Sequence, residues 1–241
     1  MSTVVENEVV GPELSEHLKN RAPSTIRLAH MEFLKRKDKI EEINTVIGNV
    51  SLPVHPAMEK RLYNLDAEDS PFKNGVIKYT ATVGFEETQR AFLNIIASGG
   101  FDTEGLHCQV TDGGIQAMEL VVLGVCGPAG SFEKPLLLID AAYINYSLIS
   151  SRLGRKTVSV TRQLQEDGQF TLPDIKEIKN TIKKCSPGGL LVIPYNNPTG
   201  QFYSKDTMLI LAELCIRYNM WMISDETYRE LFYIDNETTS I

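Results

Sequence analysis

Four predicted strands of this chain are each followed at once by groups that could bind a ligand. Gly113 and Gly114 come after the strand predicted over residues 106–111, at the start of a predicted helix. Two glycines at such a turn let backbone N–H groups approach an anion, and a helix N-terminus favours negative charge. A phosphate would suit this position, although the need for a tight turn explains the two glycines equally well.

Aromatic and amide side chains follow the strands predicted over residues 135–140 and 190–194. Tyr143 comes after the first of these, where an aromatic ring can stack on a planar ligand or simply cover the sheet edge. Asn196 and Asn197 come after the second, immediately before Pro198. Turn chemistry accounts for the Asn-Pro pair. It does not require two amides after a buried strand, and these need hydrogen-bond partners that a ligand could supply.

A carboxylate and a phenol follow the strand predicted over residues 220–224. Asp225 would be desolvated there and should seek a cation or hydrogen-bond donors, unless it serves as a helix N-cap. Tyr228 lies three residues further on. Because ligands of an open α/β sheet bind beyond the carboxyl ends of its strands, the four sites are expected to act together. Together they describe a flat, phosphorylated, basic heteroaromatic ligand, and pyridoxal phosphate fits each part.

The elements that must position these groups follow an alternating pattern. Between the strands, including one predicted over 157–160, helices are predicted over residues 85–97, 114–125, 144–153, 173–183 and 205–218. Continuous apolar runs are typical of strands buried on both faces of a parallel sheet. Strand, helix and strand following one another at spacings of about thirty residues favour right-handed crossovers. We therefore predict an α/β fold with three layers, αβα, and a mainly parallel sheet. Further helices are predicted within residues 14–42 and over 56–63.

The composition narrows the class of protein. The 241 residues carry a formal net charge of −7, with 42% hydrophobic and 23% charged residues, which suits a globular protein with a real core. Nucleic acid is not expected as a partner, because neutralising phosphates needs clustered lysine and arginine. The four scattered cysteines predict reduced thiols and no metal site. With neither a signal peptide nor a membrane-spanning segment visible, we expect a cytoplasmic protein.

Two motifs in the second half of the chain resemble those of the class I/II aminotransferases, which are fold-type I pyridoxal phosphate enzymes. The motif Asn197-Pro198-Thr199-Gly200 is followed, after twenty-four residues, by Asp225-Glu226-Thr227-Tyr228-Arg229. Weaker similarities lie in the glycine segment around Gly48 and in Tyr79, which precedes a predicted helix. The resemblance covers residues 43–233 and does not distinguish between substrates.

The resemblance implies a role for each matching residue around the cofactor ring. Tyr143 matches the aromatic residue that stacks on the pyridine ring. Asn197 and Tyr228 match the groups that hydrogen-bond the phenolic oxygen of the ring. Asp225 matches the carboxylate that pairs with the ring nitrogen.

The resemblance also implies the groups around the phosphate and the substrate. The N–H groups of Gly113 and Gly114 would hold the cofactor phosphate. Tyr79 matches a tyrosine that reaches the phosphate of the neighbouring subunit, so a homodimer is expected. Gly48 matches a residue near the substrate carboxylate.

The function implied is that of an aminotransferase, an enzyme that moves an amino group between an amino acid and a 2-oxo acid. A β-lyase or a related pyridoxal phosphate enzyme shares the same motifs and stays open as an alternative. A non-catalytic remnant or ligand-binding protein is the second alternative. Residues 1–60 are expected to form an N-terminal arm and the first part of a small domain, and residues 61–241 an incomplete large domain that binds the cofactor.

The family's Schiff-base lysine is expected beyond Ile241, so no catalytic residue is assigned within the chain. Lys205 is instead expected to be an exposed residue at a helix start. In the family, two later strands lie between the strand of residues 106–111 and that of residues 220–224. Without them, the strand of residues 106–111 would lose its neighbours, and the strand of residues 220–224 should expose an edge. We therefore expect a fragment that is inactive and that is unstable or aggregates on its own.

Overall fold

The computed structural model describes residues 12–21, 23–43, 45, 48, 51–231 and 240. The chain divides into two compact units, Met1–Ile77 and Lys78–Ile241. In the described part of the first unit, the α-helices are α1 (Glu16–Lys19), α2 (Thr25–Leu34) and α3 (Pro56–Tyr63). The hydroxyls of Ser15 and Ser24 cap the first two helices by accepting backbone N–H bonds. The helices predicted in this region are confirmed.

The second unit alternates helices with strands, as the sequence pattern predicts. Its helices are α4 (Glu86–Ser98), α5 (Gly113–Val125), α6 (Asn145–Arg152), α7 (Ile175–Cys185) and α8 (Lys205–Arg217). Its strands are β1 (Leu136–Asp140), β2 (Thr157–Thr161), β3 (Gly189–Val192) and β4 (Trp221–Ser224). The bounds differ from the predicted ones by only a few residues, which is the usual uncertainty at element ends.

The four strands form one parallel sheet in the order β2-β1-β3-β4. Leu136 at the start of β1 lies opposite Thr157 of β2 and Gly189 of β3. The two central strands are the apolar runs of the sequence, and their residues are almost entirely buried. A parallel sheet buries such runs because helices cover both of its faces.

Alternate residues of the central strands point to opposite faces of the sheet and enter two separate cores. One core joins the sheet to α7 and α8 through Leu137, Ile139, Leu190, Val192, Ile178, Ile182, Leu211 and Leu214. The other joins it to α5 and α6 through Leu136, Leu138, Leu191, Ile193, Val122, Tyr146 and Ile149. These two cores make the three layers of the predicted αβα architecture.

The prediction of a strand over residues 106–111 is wrong. This segment belongs to no strand, and Leu106 is 44% exposed. The backbone N–H of Val110 donates to the carbonyl of Val83, outside the sheet. A strand exists only where a neighbour completes its hydrogen-bond ladder, and no strand of the described residues lies beside this segment.

The outermost strand on one side of the sheet is β4, which pairs only with β3 among the described residues. Its first residue, Trp221, is 67% exposed. The expected sheet edge at this strand is therefore present. In the part of the chain that the structure describes, no helix has the length and apolar character needed to cross a membrane.

Candidate functional site

The carboxyl ends of β1, β3 and β4 meet at one edge of the second unit. The segment after β1 leads through Tyr143 into α6, and the segment after β3 forms the turn that contains Asn197. Asp225 follows β4, and its backbone N–H donates to the carbonyl of Val192 at the end of β3 (2.9 Å). Tyr143, Asn197 and Asp225 thus lie beyond the carboxyl ends of the strands, where an α/β sheet binds its ligand.

The centre of this region is a hydrogen bond between Tyr146 and Asp225. The Tyr146 hydroxyl donates to Oδ2 of Asp225, across 79 residues of sequence. The other oxygen, Oδ1, accepts from the backbone N–H (3.1 Å) and the hydroxyl (2.6 Å) of Thr227. A carboxylate has about four acceptor positions. Residues that the structure describes use three of these positions, so one is left for a ligand.

The protonation of Tyr146 follows from its surroundings. The side chain is only 2% exposed, and this burial, reinforced by the bond to Asp225, raises the pKa of its phenol well above the usual range. Tyr146 therefore remains a hydrogen-bond donor at any physiological pH. A protonated donor holds the Asp225 carboxylate as an oriented acceptor.

The alternative reading of Asp225 as a helix N-cap is not what the structure shows. Residues 227–230 form a turn and not a helix, so the bond from Thr227 closes a short local turn. The side chain is half-buried. This position keeps it partly shielded from water but still within reach of a ligand.

Tyr143 lies beside Tyr146 in an edge-to-face contact. The ring centroids are 5.6 Å apart and the planes meet at 80°. The Tyr143 hydroxyl accepts a hydrogen bond from Nδ2 of Asn145 (2.7 Å), and the residue is 39% exposed. An edge-to-face contact with one neighbour leaves ring surface on which a planar ligand can stack.

The two asparagines after β3 have different environments. Asn196 is buried, and its Oδ1 accepts from the backbone N–H (3.2 Å) and hydroxyl (2.8 Å) of Thr199. Its amide therefore builds the turn. The half-buried Asn197, joined to Pro198 by a cis peptide bond, has no hydrogen bond from its side chain to any residue that the structure describes. Asn197 is thus the amide that can still bind a ligand.

The predicted phosphate site is the start of α5. Gly113 has a φ of 75°, which favours glycine, and its N–H donates to the carbonyl of Thr111 (2.9 Å). The N–H of Gly114 lies in the first helical turn, where no carbonyl of the helix can accept from it. A side chain built at either glycine would meet no atom within 4 Å. This open space leaves room for an anion at the helix N-terminus.

The remaining predicted residues are less closely tied to this cluster. Tyr228 is 40% exposed and lies within electrostatic range of Tyr146. Tyr79 is fully exposed. Gly48 belongs to the first unit and is exposed, and residues 46, 47 and 49 around it lie outside the described residues. Lys205 begins α8 after the N-cap Ser204 and is exposed, as expected.

Two functional candidates escape the sequence reasoning. Tyr146 lies three residues after Tyr143 and receives no role from the sequence pattern, because its bond to Asp225 depends on the tertiary fold. Arg162, directly after β2, is buried and bonded to residues on both sides of the site. A cationic residue just after a predicted strand is the one signal that could have drawn attention to it.

The sequence model of the family described as aminotransferase class I and II matches residues 103–240, more than half of the chain. The chain belongs to this family. The match includes Asp225, Tyr143 and the turn that contains Asn197, so the cluster at the strand ends lies within the family region. The recognition made from the two motifs is confirmed.

Curated aminotransferases from several organisms resemble most of this chain. The aspartate aminotransferase of Pyrococcus horikoshii is 26% identical over 207 residues, which are 85% of this chain and 49% of that protein. The glutamate-pyruvate aminotransferase AlaA of Escherichia coli is 28% identical over 224 residues, 83% of this chain and 54% of that protein. The chain thus spans about half the length of these relatives.

Solved structures share the fold. The Thermus thermophilus aspartate aminotransferase double mutant matches with a TM-score of 0.76 and 20% identity, over 95% of this chain and 57% of that one. A pyridoxal phosphate-bound C-S lyase from Staphylococcus hominis matches with a TM-score of 0.60 and 17% identity, over 69% and 42%. These matches confirm the α/β fold of the family. Because a lyase shares it, the fold does not separate the two activities.

Proposed function

We propose that this chain is the cofactor-binding part of a pyridoxal phosphate-dependent aminotransferase. The observation that carries the proposal is the Asp225 carboxylate at the end of β4, held by Tyr146 and left with one acceptor position. A single oriented carboxylate of this kind suits the protonated nitrogen of a heteroaromatic ring. Membership of the family supports the same assignment.

The surrounding groups fit the other parts of the cofactor. The open N-terminus of α5 at Gly114 suits a phosphate. The exposed ring of Tyr143 suits stacking on a pyridine. The Asn197 amide, together with Tyr228, suits a phenolic oxygen on that ring. We infer from this donor set that the residues present match the cofactor, group by group.

Asp225 has the central role in this proposal. When bound, pyridoxal phosphate supplies an electron sink for a carbanion at the substrate α-carbon, and it works best with its ring nitrogen protonated. A carboxylate at about 4 Å, with an effective dielectric constant of about 20, attracts such a cation by roughly 4 kcal/mol. This corresponds to about three pKa units on the ring nitrogen, as an upper figure, because desolvation opposes it.

The other residues hold and orient the Asp225 carboxylate and the cofactor ring. Tyr146 keeps the Asp225 carboxylate in place as a protonated donor. Tyr143 restricts the tilt of a ring stacked against it, and Asn197 binds the oxygen of that ring. We further propose that Gly48 lies near the substrate carboxylate and that Tyr79 reaches the phosphate of a second subunit in a homodimer. Neither Lys205 nor any other lysine of this chain is assigned the Schiff-base role.

An activity assay of the full-length protein tests the proposal. Purified protein supplied with pyridoxal phosphate and a panel of amino acids should form the matching 2-oxo acids in more than stoichiometric amounts only when a 2-oxo acid acceptor is added. Because an aminotransferase exchanges groups between two substrates, ammonia should not accumulate. Failure to bind pyridoxal phosphate at all would contradict the proposal.

The alternative function is that of a β-lyase, which stays open because a pyridoxal phosphate-bound C-S lyase shares the fold. A β-lyase needs no amino acceptor and releases ammonia from a single amino acid. Release of ammonia and pyruvate from a cysteine conjugate, without any added 2-oxo acid, would therefore decide for the lyase. Binding of the cofactor with neither reaction would identify a non-catalytic, ligand-binding protein.

A further inference from the structure

Arg162 is a cation buried in the second unit beside the candidate site. It follows β2 immediately and is only 3% exposed. Its guanidinium forms no ion pair with the residues that the structure describes. Instead it lies near the rings of Phe170 and Tyr203, at 5.8 and 5.9 Å from their centroids. The charge of Asp140 acts on it from a distance, but no carboxylate of the described residues pairs with it directly, so a charge buried here requires another reason to be there.

The hydrogen bonds of Arg162 run in two directions. On one side, Nη2 donates to the carbonyl of Ala141, and Nε donates to the carbonyl of Asp140 (3.4 Å). On the other side, Nη1 donates to Oε1 of Gln201 (2.7 Å) and to the hydroxyl of Thr199 (3.4 Å). These bonds use four of the five N–H groups of an arginine. Little capacity is therefore left for a substrate carboxylate.

The two sets of partners belong to different parts of the candidate site. Asp140 ends β1 and Ala141 begins the segment that carries Tyr143, whereas Thr199 and Gln201 belong to the turn that carries Asn197. In the sheet, β1 lies between β2 and β3. The arginine side chain therefore extends from β2 past the end of β1 to the turn after β3, and it joins two segments that are not neighbours in sequence.

We propose that Arg162 is a positioning residue: it ties the segment of Tyr143 to the turn of Asn197 and so sets the distance between the two side chains that contact the cofactor ring. The inference rests on the proposed function, because that function assigns both side chains to the cofactor. Arg162 itself does not touch the ligand. It acts by fixing the width of the slot into which a planar ring fits.

An arginine is required here for a geometric reason. Its planar guanidinium can donate in two opposite directions at once, whereas a lysine ammonium is a single point on a flexible stem. In Arg162→Lys the positive charge stays, but one of the two segments loses its hydrogen bonds to residue 162. Because these bonds are partly buried, water replaces the arginine only incompletely at the carbonyl or amide that is released.

The Gln201 side chain offers a matched pair of variants that test the tie. Its Oε1 accepts from Arg162, and its Nε2 donates to the carbonyl of Phe170 (2.9 Å). In Gln201→Glu the bond to Arg162 is kept and the bond to Phe170 is lost. In Gln201→Met both bonds are lost, in a side chain of similar length. The difference between these two variants therefore reports on the contact with Arg162, which Gln201→Glu keeps as a charged pair and Gln201→Met removes.

The experiment measures pyridoxal phosphate binding to the full-length protein by absorbance titration, and the circular dichroism of the bound cofactor. We expect Gln201→Glu to bind within about threefold of the native protein, and Gln201→Met and Arg162→Lys to bind roughly tenfold more weakly. The cofactor dichroism should change only in the two weaker binders, because it reports how the ring is held. Arg152→Lys is the control, since that arginine pairs with Glu119 between α6 and α5, away from both segments.

The outcomes separate this inference from the proposed function. If the native protein binds no pyridoxal phosphate, the proposed function fails. If it binds, and Gln201→Met equals the native protein in affinity and dichroism, the positioning role is refuted while the proposed function stands. Equal losses in Gln201→Met and Gln201→Glu would also refute it, because they would assign the effect to the Phe170 bond. If Arg162→Lys does not fold, the Gln201 pair still decides.

Discussion

The bond between Tyr146 and Asp225 leads to the most direct stability prediction. Tyr146→Phe removes the phenolic oxygen and changes nothing else in the shape of the side chain. The Asp225 carboxylate, half-buried at the end of β4, then loses one of its three protein donors. No water is expected to replace the hydroxyl, because the position of Tyr146 is 2% exposed.

The expected cost follows from the charge and the burial. A hydrogen bond to a charged group contributes about 1.5–3 kcal/mol to stability, so we expect a loss of about 2 kcal/mol. This equals a roughly 30-fold change in the folding equilibrium constant. For a protein of this size, it lowers the melting temperature by about 4–8 °C.

The assay is urea unfolding of the full-length protein without cofactor, followed by circular dichroism. Tyr143→Phe is the matched control, because it makes the same chemical change three residues away. The Tyr143 hydroxyl is bonded to Asn145 at a partly exposed position. Its loss should cost less than about 0.5 kcal/mol.

Two results would refute the reasoning. Equal losses of stability in Tyr146→Phe and Tyr143→Phe would show that the buried bond contributes no more to stability than the exposed one. A loss below about 0.5 kcal/mol in Tyr146→Phe would show that the Asp225 carboxylate does not depend on this donor. A double-mutant cycle with Asp225→Asn should in addition give a coupling energy of at least about 1 kcal/mol.

Three further predictions concern the second unit. At neutral pH a thiol reagent should label Cys185 and leave Cys215 unmodified in the folded protein, because burial raises the pKa of Cys215 to about 11; equal labelling of both would contradict this. Gly188→Ala should lower the free energy of unfolding in urea by about 3 kcal/mol, since the added Cβ would lie 1.9 Å from a backbone carbonyl of α5. Gly124→Ala should raise it by about 0.5 kcal/mol, because the space around the added Cβ is open. Burial raises the pKa of Tyr203 to about 12, so the folded state keeps a proton that the unfolded state loses above pH ~10. The free energy of unfolding should therefore fall by up to roughly 3 kcal/mol between pH ~10 and about 12. In Tyr203→Phe the free energy of unfolding should not show this decrease, because the phenol that titrates is absent.

The sequence predicts the layers of the fold well, because hydrophobic pattern and short-range spacing determine them. The apolar runs of β1 and β3 are the central strands, and the helices between strands lie within a few residues of their predicted bounds. The segment over residues 106–111 is the exception. Its residues suit a strand, but pairing depends on a neighbour elsewhere in the chain, and a local pattern carries no information about that neighbour.

The candidate site is predictable in its parts but not in its connections. The residue types after each strand, Tyr143, Asn197 and Asp225, can be read from the sequence because they follow the strand ends directly. The bonds that orient them cannot be read in this way. Tyr146 bonds a residue 79 positions away, and Arg162 bonds one 39 positions away, so both contacts exist only once the sheet has formed.

The protonation state of the cofactor ring nitrogen tests the central claim most directly. The full-length protein, loaded with pyridoxal phosphate that carries ¹⁵N in its ring, can be compared with Asp225→Ala by ¹⁵N NMR at mildly alkaline pH. We predict a protonated ring nitrogen in the native protein and an unprotonated one in Asp225→Ala, with turnover reduced far more than cofactor affinity. The same protonation state in both proteins, or equal losses of affinity and turnover, would contradict the role assigned to Asp225.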